Sequence, residues 1–147
     1  MLLLGIKNTS SQEVITDGLV NLGNVYRRYC KKDNCGAKTF DFAGDSVTLN
    51  QAGIYQVIVS ATFTGTEAGN VTLQLFENGE AITGALATET ITTADTEVRS
   101  ISFPYLVLVD KACVCGVFGV VAKSLSLVNT GVPATITNVS IAITKVC

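Results

Sequence analysis

Apolar side chains recur at every second position through most of this chain, which constrains its fold more than any other feature. In GIYQVIVSATF, residues 53–63, Tyr55, Val57, Val59, Ala61 and Phe63 share one face, opposite Gln56, Ser60 and Thr62. NVTLQLFENG, residues 70–79, repeats the pattern with Val71, Leu73 and Leu75. It closes at Asn78-Gly79, a dipeptide that accepts positive φ at both central positions of a tight hairpin. TEVRSISFPYLVLVD, residues 96–110, alternates through Ile101, Phe103, Tyr105, Val107 and Val109, and Pro104 within it predicts an edge strand or a bulge. Residues 124–147 read as two strands around Gly131-Val132-Pro133, the last with Val139, Ile141 and Ile143 inward. Only residues 10–22 leave room for a short helical turn. In 147 residues this density of alternation predicts one all-β unit, a sandwich or a barrel.

One stretch departs from the rule. ACVCGVFGVV, residues 112–121, is apolar on both faces, with Val114, Phe118 and Val120 opposite Cys113, Cys115, Val117 and Val121. Read as one strand, it needs cover on both sides. The chain is 48% hydrophobic and only 15% charged, against about a quarter charged in ordinary soluble domains. Its outward positions elsewhere are mostly Thr, Ser, Ala, Gly and Gln. A second copy of the chain is the economical cover, and a cyclic homotrimer packed around an axis suits flat inner sheets. Val114, Phe118 and Val120 are then the trimer-interface candidates.

The net charge of −2 points to neither nucleic acid nor an anionic membrane. Its distribution is uneven. Residues 27–38 carry Arg27, Arg28, Lys31, Lys32 and Lys38 against Asp33, whereas residues 39–98 carry eight acids and no base. A basic face of one copy can meet an acidic face of the next, and solvated loops of unlike charge are the plainer reading. The apolar run in MLLLGI ends at Lys7 and Asn8, too soon for a signal peptide, and no apolar run spans a bilayer. The expectation is a chain made and folded in a cytoplasm.

The residue inventory argues against catalysis. With no His, a Ser-His-Asp or Cys-His arrangement and any His-ligated metal centre are excluded. Carboxylate pairs remain at Asp41 and Asp45 and at Glu77 and Glu80, but the second pair flanks an exposed turn where desolvation is small. Asp41, Asp45 and Glu67 follow no calcium-loop pattern. Cys30, Cys35, Cys113 and Cys115 are either buried free thiols or four thiolates for zinc, and Cys147 makes the count odd, unlike a secreted disulfide framework. The triplets at Asn8, Asn70 and Asn138 match the glycosylation pattern by chance. No cofactor is expected.

GIYQVIVSATFTG, then GNVTLQLFENGEAI, a long apolar strand, and SLSLVNTG…ATITNVSIAITKV together resemble the C1q/TNF-like jelly roll, over residues 46–146. Gly53, Tyr55, Leu75, Asn78 and Gly79 sit where that pattern expects them. The likeness is nearest to versions carried by bacteriophages and prophages of Gram-positive bacteria. The collagen-like Gly-x-y stalk of the animal proteins is missing, as is the Gly-Asp turn, with FPYLVLVDKAC in its place.

The resemblance implies a two-sheet antiparallel jelly-roll sandwich over residues 46–147 that forms trimers. It also implies a non-enzymatic structural protein on the surface of a phage particle, assembled in the bacterial cytoplasm. Residues 1–45 then form an anchoring or edge segment within one compact unit. Tyr26, Arg27, Arg28, Tyr29, Lys31 and Lys32 are the candidates for docking on a capsid or tail protein, with a solvated edge strand as the plainer alternative. No long fibrous region precedes the jelly roll, which favours a capsid decoration or head fibre seated directly on a shell. The alternative is a tail knob that recognises a host-surface ligand, for which Tyr26 and Tyr29 are the available aromatic platforms.

Overall fold

The computed structural model describes residues 2–30, 39–114 and 117–147; the side chains of Cys30, residues 112–114, Val117 and Phe118 lie outside that description. Lys31, Lys32, Cys35 and Cys115 also fall outside the described residues.

Two antiparallel sheets face each other. The first runs in the order β10 (Val98–Val109), β7 (Gly53–Gly65), β14 (Ala134–Lys145), β1 (Leu2–Asn8), β4 (Asn24–Cys30), with β2 (Gln12–Val14) paired to β14. The second runs β5 (Phe40–Phe42), β6 (Ser46–Leu49), β13 (Lys123–Asn129), β8 (Gly69–Glu77), β9 (Glu80–Ile91), with β3 (Gly18–Leu19) paired to β13. A separate hairpin joins β11 (Lys111–Val114) to β12 (Val117–Val120).

The alternation sorts residues as the sequence predicts. Tyr55, Val57, Val59, Ala61 and Phe63 are buried, as are Val71, Leu73, Leu75, Val139, Ile141 and Ile143. Each fully buried Leu or Phe contributes about 1.5–3 kcal/mol of apolar transfer energy, and these inner faces are continuous. Tyr55 is the polar exception at its tip: its hydroxyl donates to the Gln51 carbonyl at 2.6 Å, and burial pushes its phenol pKa up. Asn78 and Gly79 take φ values of 52° and 82° at the turn between β8 and β9. Pro104 lies in β10, at the edge of its sheet, where a missing N–H is tolerated.

Two expectations are corrected. Residues 10–22 hold no helical turn: they form β2 and β3, the chain crossing from one sheet to the other while Asp17 N donates to Asn129 O and Val20 N to Leu127 O. The apolar run at 112–121 is not one long strand but part of the β11–β12 hairpin, whose register pairs Val114 with Val117. An unbroken apolar run carries no mark of where a chain reverses, so its period could not reveal the hairpin. Strands on either side of residue 45 pair with one another. β1 sits between β14 and β4, β3 pairs with β13, and Leu2, Leu4, Ile6, Val14, Val20 and Leu22 are core residues.

The step from β13 to β14 crosses between the sheets and is held by a buried Asn129. Its Nδ2 donates to the carbonyls of Val132 (2.9 Å) and Val14 (3.3 Å), while its Oδ1 accepts from Gly131 N at 3.0 Å. Gly131 runs flush against β8, so a Cβ there would collide with the Asn70 carbonyl and the Thr72 nitrogen. We expect Gly131→Ala and Asn129→Ala each to cost about 1–3 kcal/mol. Urea unfolding checks this: the midpoint should fall while the denaturant slope stays constant.

Candidate functional site: the outer face of the first sheet

Outward residues of the first sheet fall into rows set by its register. At one end of the strands the rows are hydroxylated, with Ser60 Oγ 3.2 Å from Ser102 Oγ and Thr62 Oγ1 3.1 Å from Ser100 Oγ. Further along, Pro104, Ile58, Ala142 and Gly5 lie in one row, followed by Leu106, Gln56, Thr144 and Leu3. Leu108 and Ile54 begin the last row, and Val146 N donates to Ile54 O beside them. Leu106 and Leu108 are 61% and 53% exposed, with Ile58, Leu3 and Ile54 also open to solvent. Most outward aliphatics thus cluster at one end of the face, while Val98, 64% exposed, stands at the end that carries the hydroxyls. Contiguous apolar surface of this kind marks an interaction site.

The β4 edge borders the face. Leu3 pairs with Tyr29 and Gly5 with Arg27, so Tyr29 and Arg27 share the outer side with Leu3. A register shift between Gly5 and Ile6 lets the Tyr26 ring lie over Gly5, where a Cβ would come within 2.7 Å of Tyr26 Cζ. Lys7 Nζ stands 4.9 Å from the centre of that ring. The result is a recess of about 150 Å³ walled by Leu3, Gly5, Tyr26, Arg27, Ala142 and Thr144. Open hollows of about 450 Å³ and 520 Å³ lie beside Gln56, Pro104 and Leu106 and along residues 144–147. Arg28 alternates to the other side, its guanidinium 5.2 Å from the Phe40 ring centre.

The residues singled out in the sequence are therefore dispersed. Tyr26, Arg27 and Tyr29 line the outer face and Arg28 covers the rim of the core. Val120 is 43% exposed on β12, which follows the end of β10, while the side chains of Val114 and Phe118 are outside the described set. Missed in the sequence were Leu106, Leu108, Ile54 and Ile58. Their signal was present: the outward positions of two strands hold Leu and Ile where Thr and Ser would satisfy alternation.

Neither carboxylate pair is gathered into a cleft. Asp41 Oδ2 accepts from Asn50 Nδ2 at 2.9 Å, and Glu77 pairs with Lys123 at 2.8 Å while Glu80 is exposed. Among the described residues no group of three His, Cys, Asp or Glu side chains is placed to hold a metal ion. Cys147 is a free, exposed thiol. No described helix is long and apolar enough to cross a membrane.

No known family profile matches the chain, and no curated protein matches it in sequence. Solved structures do. The globular domain of zebrafish complement 1qA aligns over 100% of this chain and 98% of its own, with TM-score 0.59 and 7% identity. Eiger TNF from S. frugiperda aligns over 100% and 92%, with TM-score 0.64 and 12% identity. The fold is a C1q/TNF-like jelly roll. The PRD1 vertex protein P5 aligns at TM-score 0.46 and 17% identity, over 96% of this chain and 95% of its own. A likeness that loose decides nothing about role.

One charged residue near the acidic loops is locked in place. Glu97 accepts hydrogen bonds from the backbone N–H groups of Thr92 (2.7 Å) and Thr93 (3.1 Å) and pairs with Arg99. These backbone donors, with Arg99, hold its carboxyl at about 2. A depressed carboxylate stabilises the fold above its unfolded pKa, and that contribution is lost as pH falls through the folded value. The difference in melting temperature between wild type and Glu97→Gln should therefore be constant above pH ~4.5 and shrink toward pH ~2. Thermal unfolding across that range checks it; a difference that grows on acidification would contradict this role.

Proposed function

We propose that this chain is a non-enzymatic structural protein of a bacteriophage particle, a homotrimeric capsid decoration or head-fibre protein on the virion surface. The observation that carries the structural, self-associating part is the outer face near Leu106, Leu108, Ile54 and Ile58, which stand exposed at the end of the strands away from the hydroxyl rows. A cyclic trimer removes such a surface from water without leaving an open end. Val120, with Val114 and Phe118 on the same hairpin, extends the proposed interface from the end of β10. The phage assignment rests on the resemblance carried by the strand signatures around Gly53–Tyr55 and Leu75–Gly79. Tyr26, Arg27, Arg28, Tyr29, Lys31 and Lys32 are the proposed contact to a capsid or tail protein of opposite charge.

Light scattering in reducing buffer tests the assembly, with an expected mass three times the 15.4 kDa of one chain. A monomer would remove the physical basis of the reading. Gold-labelled antibody on purified particles tests the seat: label over the head is expected, whereas label at tail tips would favour the receptor-binding knob.

A further inference from the structure

The second sheet also has an outer face, and it is built unlike the first. Asn70, Thr72, Gln74 and Phe76 alternate with the buried Val71, Leu73 and Leu75 of β8, so they stand in one outward column. Successive members are about 6.8 Å apart. The three polar ones are held from β9. Thr90 Oγ1 donates to Asn70 Oδ1 at 2.8 Å, the Thr72 and Thr88 hydroxyls share a hydrogen bond of 2.7 Å, and Gln74 Nε2 donates to the Ile82 carbonyl at 3.0 Å. Among the described residues no further partner takes Asn70 Nδ2 or Gln74 Oε1, so each keeps hydrogen-bonding capacity. An apolar row crosses the column. Register sets Leu19, Val128, Gln74 and Leu86 side by side across β3, β13, β8 and β9, with Phe76 next along β8 beside Ser126. Leu19 and Leu86 are exposed, and Val128 is covered although it lies outside the core. Charge is kept off these rows. Glu77 and Glu80 share the row of Leu125, Glu89 lies opposite Val71, and Lys123 opposite Leu49, all inward registers.

We infer that this column is a binding strip for an uncharged saccharide chain. Phe76 stacks on the C–H face of one ring, and Gln74, Thr72 and Asn70 meet hydroxyls of the rings that follow. An ionic ligand would give up its hydration here without finding a counter-charge. A protein partner would need about 800 Å² of this copy's surface with well-buried anchors. Leu19, Phe76 and Leu86 are too few and too widely spaced for that. A sugar asks for less, because its own hydroxyls take the places of water on the Thr and amide groups, and those groups need not be dried. The hydrogen bonds from β9 already fix the polar side chains, so little rotamer freedom is lost on binding. The strip lies on the side of the sandwich opposite the first sheet and is complete in one copy. It therefore goes beyond the self-association reading and does not depend on it. Copies assembled through the first sheet carry it outside and in multiple, which strengthens weak single contacts.

The test titrates the isotope-labelled full chain, followed by NMR, with neutral trisaccharides of glucose, galactose, mannose and N-acetylglucosamine, and with sialyllactose as the charged control. At least one neutral sugar should shift the amide signals of residues 70–76 and 86–90 while those of β1 and β4 stay in place. Gln74→Glu, which adds charge without changing volume, and Phe76→Ala should each weaken that binding about tenfold, with the rest of the spectrum that of the folded wild type. Tyr26→Ala, on the first sheet, should leave the binding unchanged. No shift with any neutral sugar, shifts centred on Tyr26 and Tyr29 instead, or equal binding of sialyllactose along β8 would overturn the inference. Binding by a chain that scatters as a monomer would support the strip and remove only the self-association reading.

Discussion

The pairing of β14 with its neighbours is the constraint on which the rest of the first sheet depends. β14 lies between β7 and β1 and also receives β2, so three segments remote from it in sequence share it. Its inner residues Val139, Ile141 and Ile143 close the core against strands of the opposite sheet. Without β14 the β10–β7 pair and the β1–β4 pair have no connection to one another. Such a topology is dominated by contacts between distant parts of the chain, which slows folding. The Asn129–Gly131 corner matters for this reason. It delivers β14 from the second sheet to the first in a fixed register, with the backbone of Gly131 lying directly on β8.

Much of this architecture is legible in the residues. Period-two burial in β7, β8, β10 and β14 follows directly from the pleat, since a one-residue slip would turn each apolar set outward. Asn78-Gly79 sets one hairpin, and Pro104 marks an edge. The N-terminal strands were harder to read because Leu2, Leu4 and Ile6 look like a short apolar cluster until β14 is placed beside them. The hairpin at 111–120 was hidden by uniform apolarity. A pattern identifies a face only when there is contrast between the two sides of a strand.

The candidate site was less legible for a related reason. Alternation reports which residues point inward, and the site consists of those that point out. Leu106 and Ile54 are unremarkable one at a time; they form a surface only when register sets Leu106 opposite Gln56 and Leu108 opposite Ile54. Tyr26 and Arg27 were visible as an aromatic and basic cluster, yet their relation to Gly5 and Ala142 depends on a register shift in β1–β4 pairing that no local motif signals.

The hydroxyl rows have a consequence of their own. Ser60 with Ser102, Thr62 with Ser100, and on the second sheet Thr72 with Thr88, hydrogen-bond to one another and are already partly satisfied. They therefore give an approaching surface little reason to dry them, whereas the aliphatic end loses nothing by shedding water. A face graded in this way has a direction, like an arrow drawn along the strands. The two ends of that arrow are unlike. One of them carries the loops of Glu67, Asp95 and Glu97; the other carries the β11–β12 hairpin and the Lys145 end of β14. A face built on such a polar axis offers an approaching partner two unlike ends.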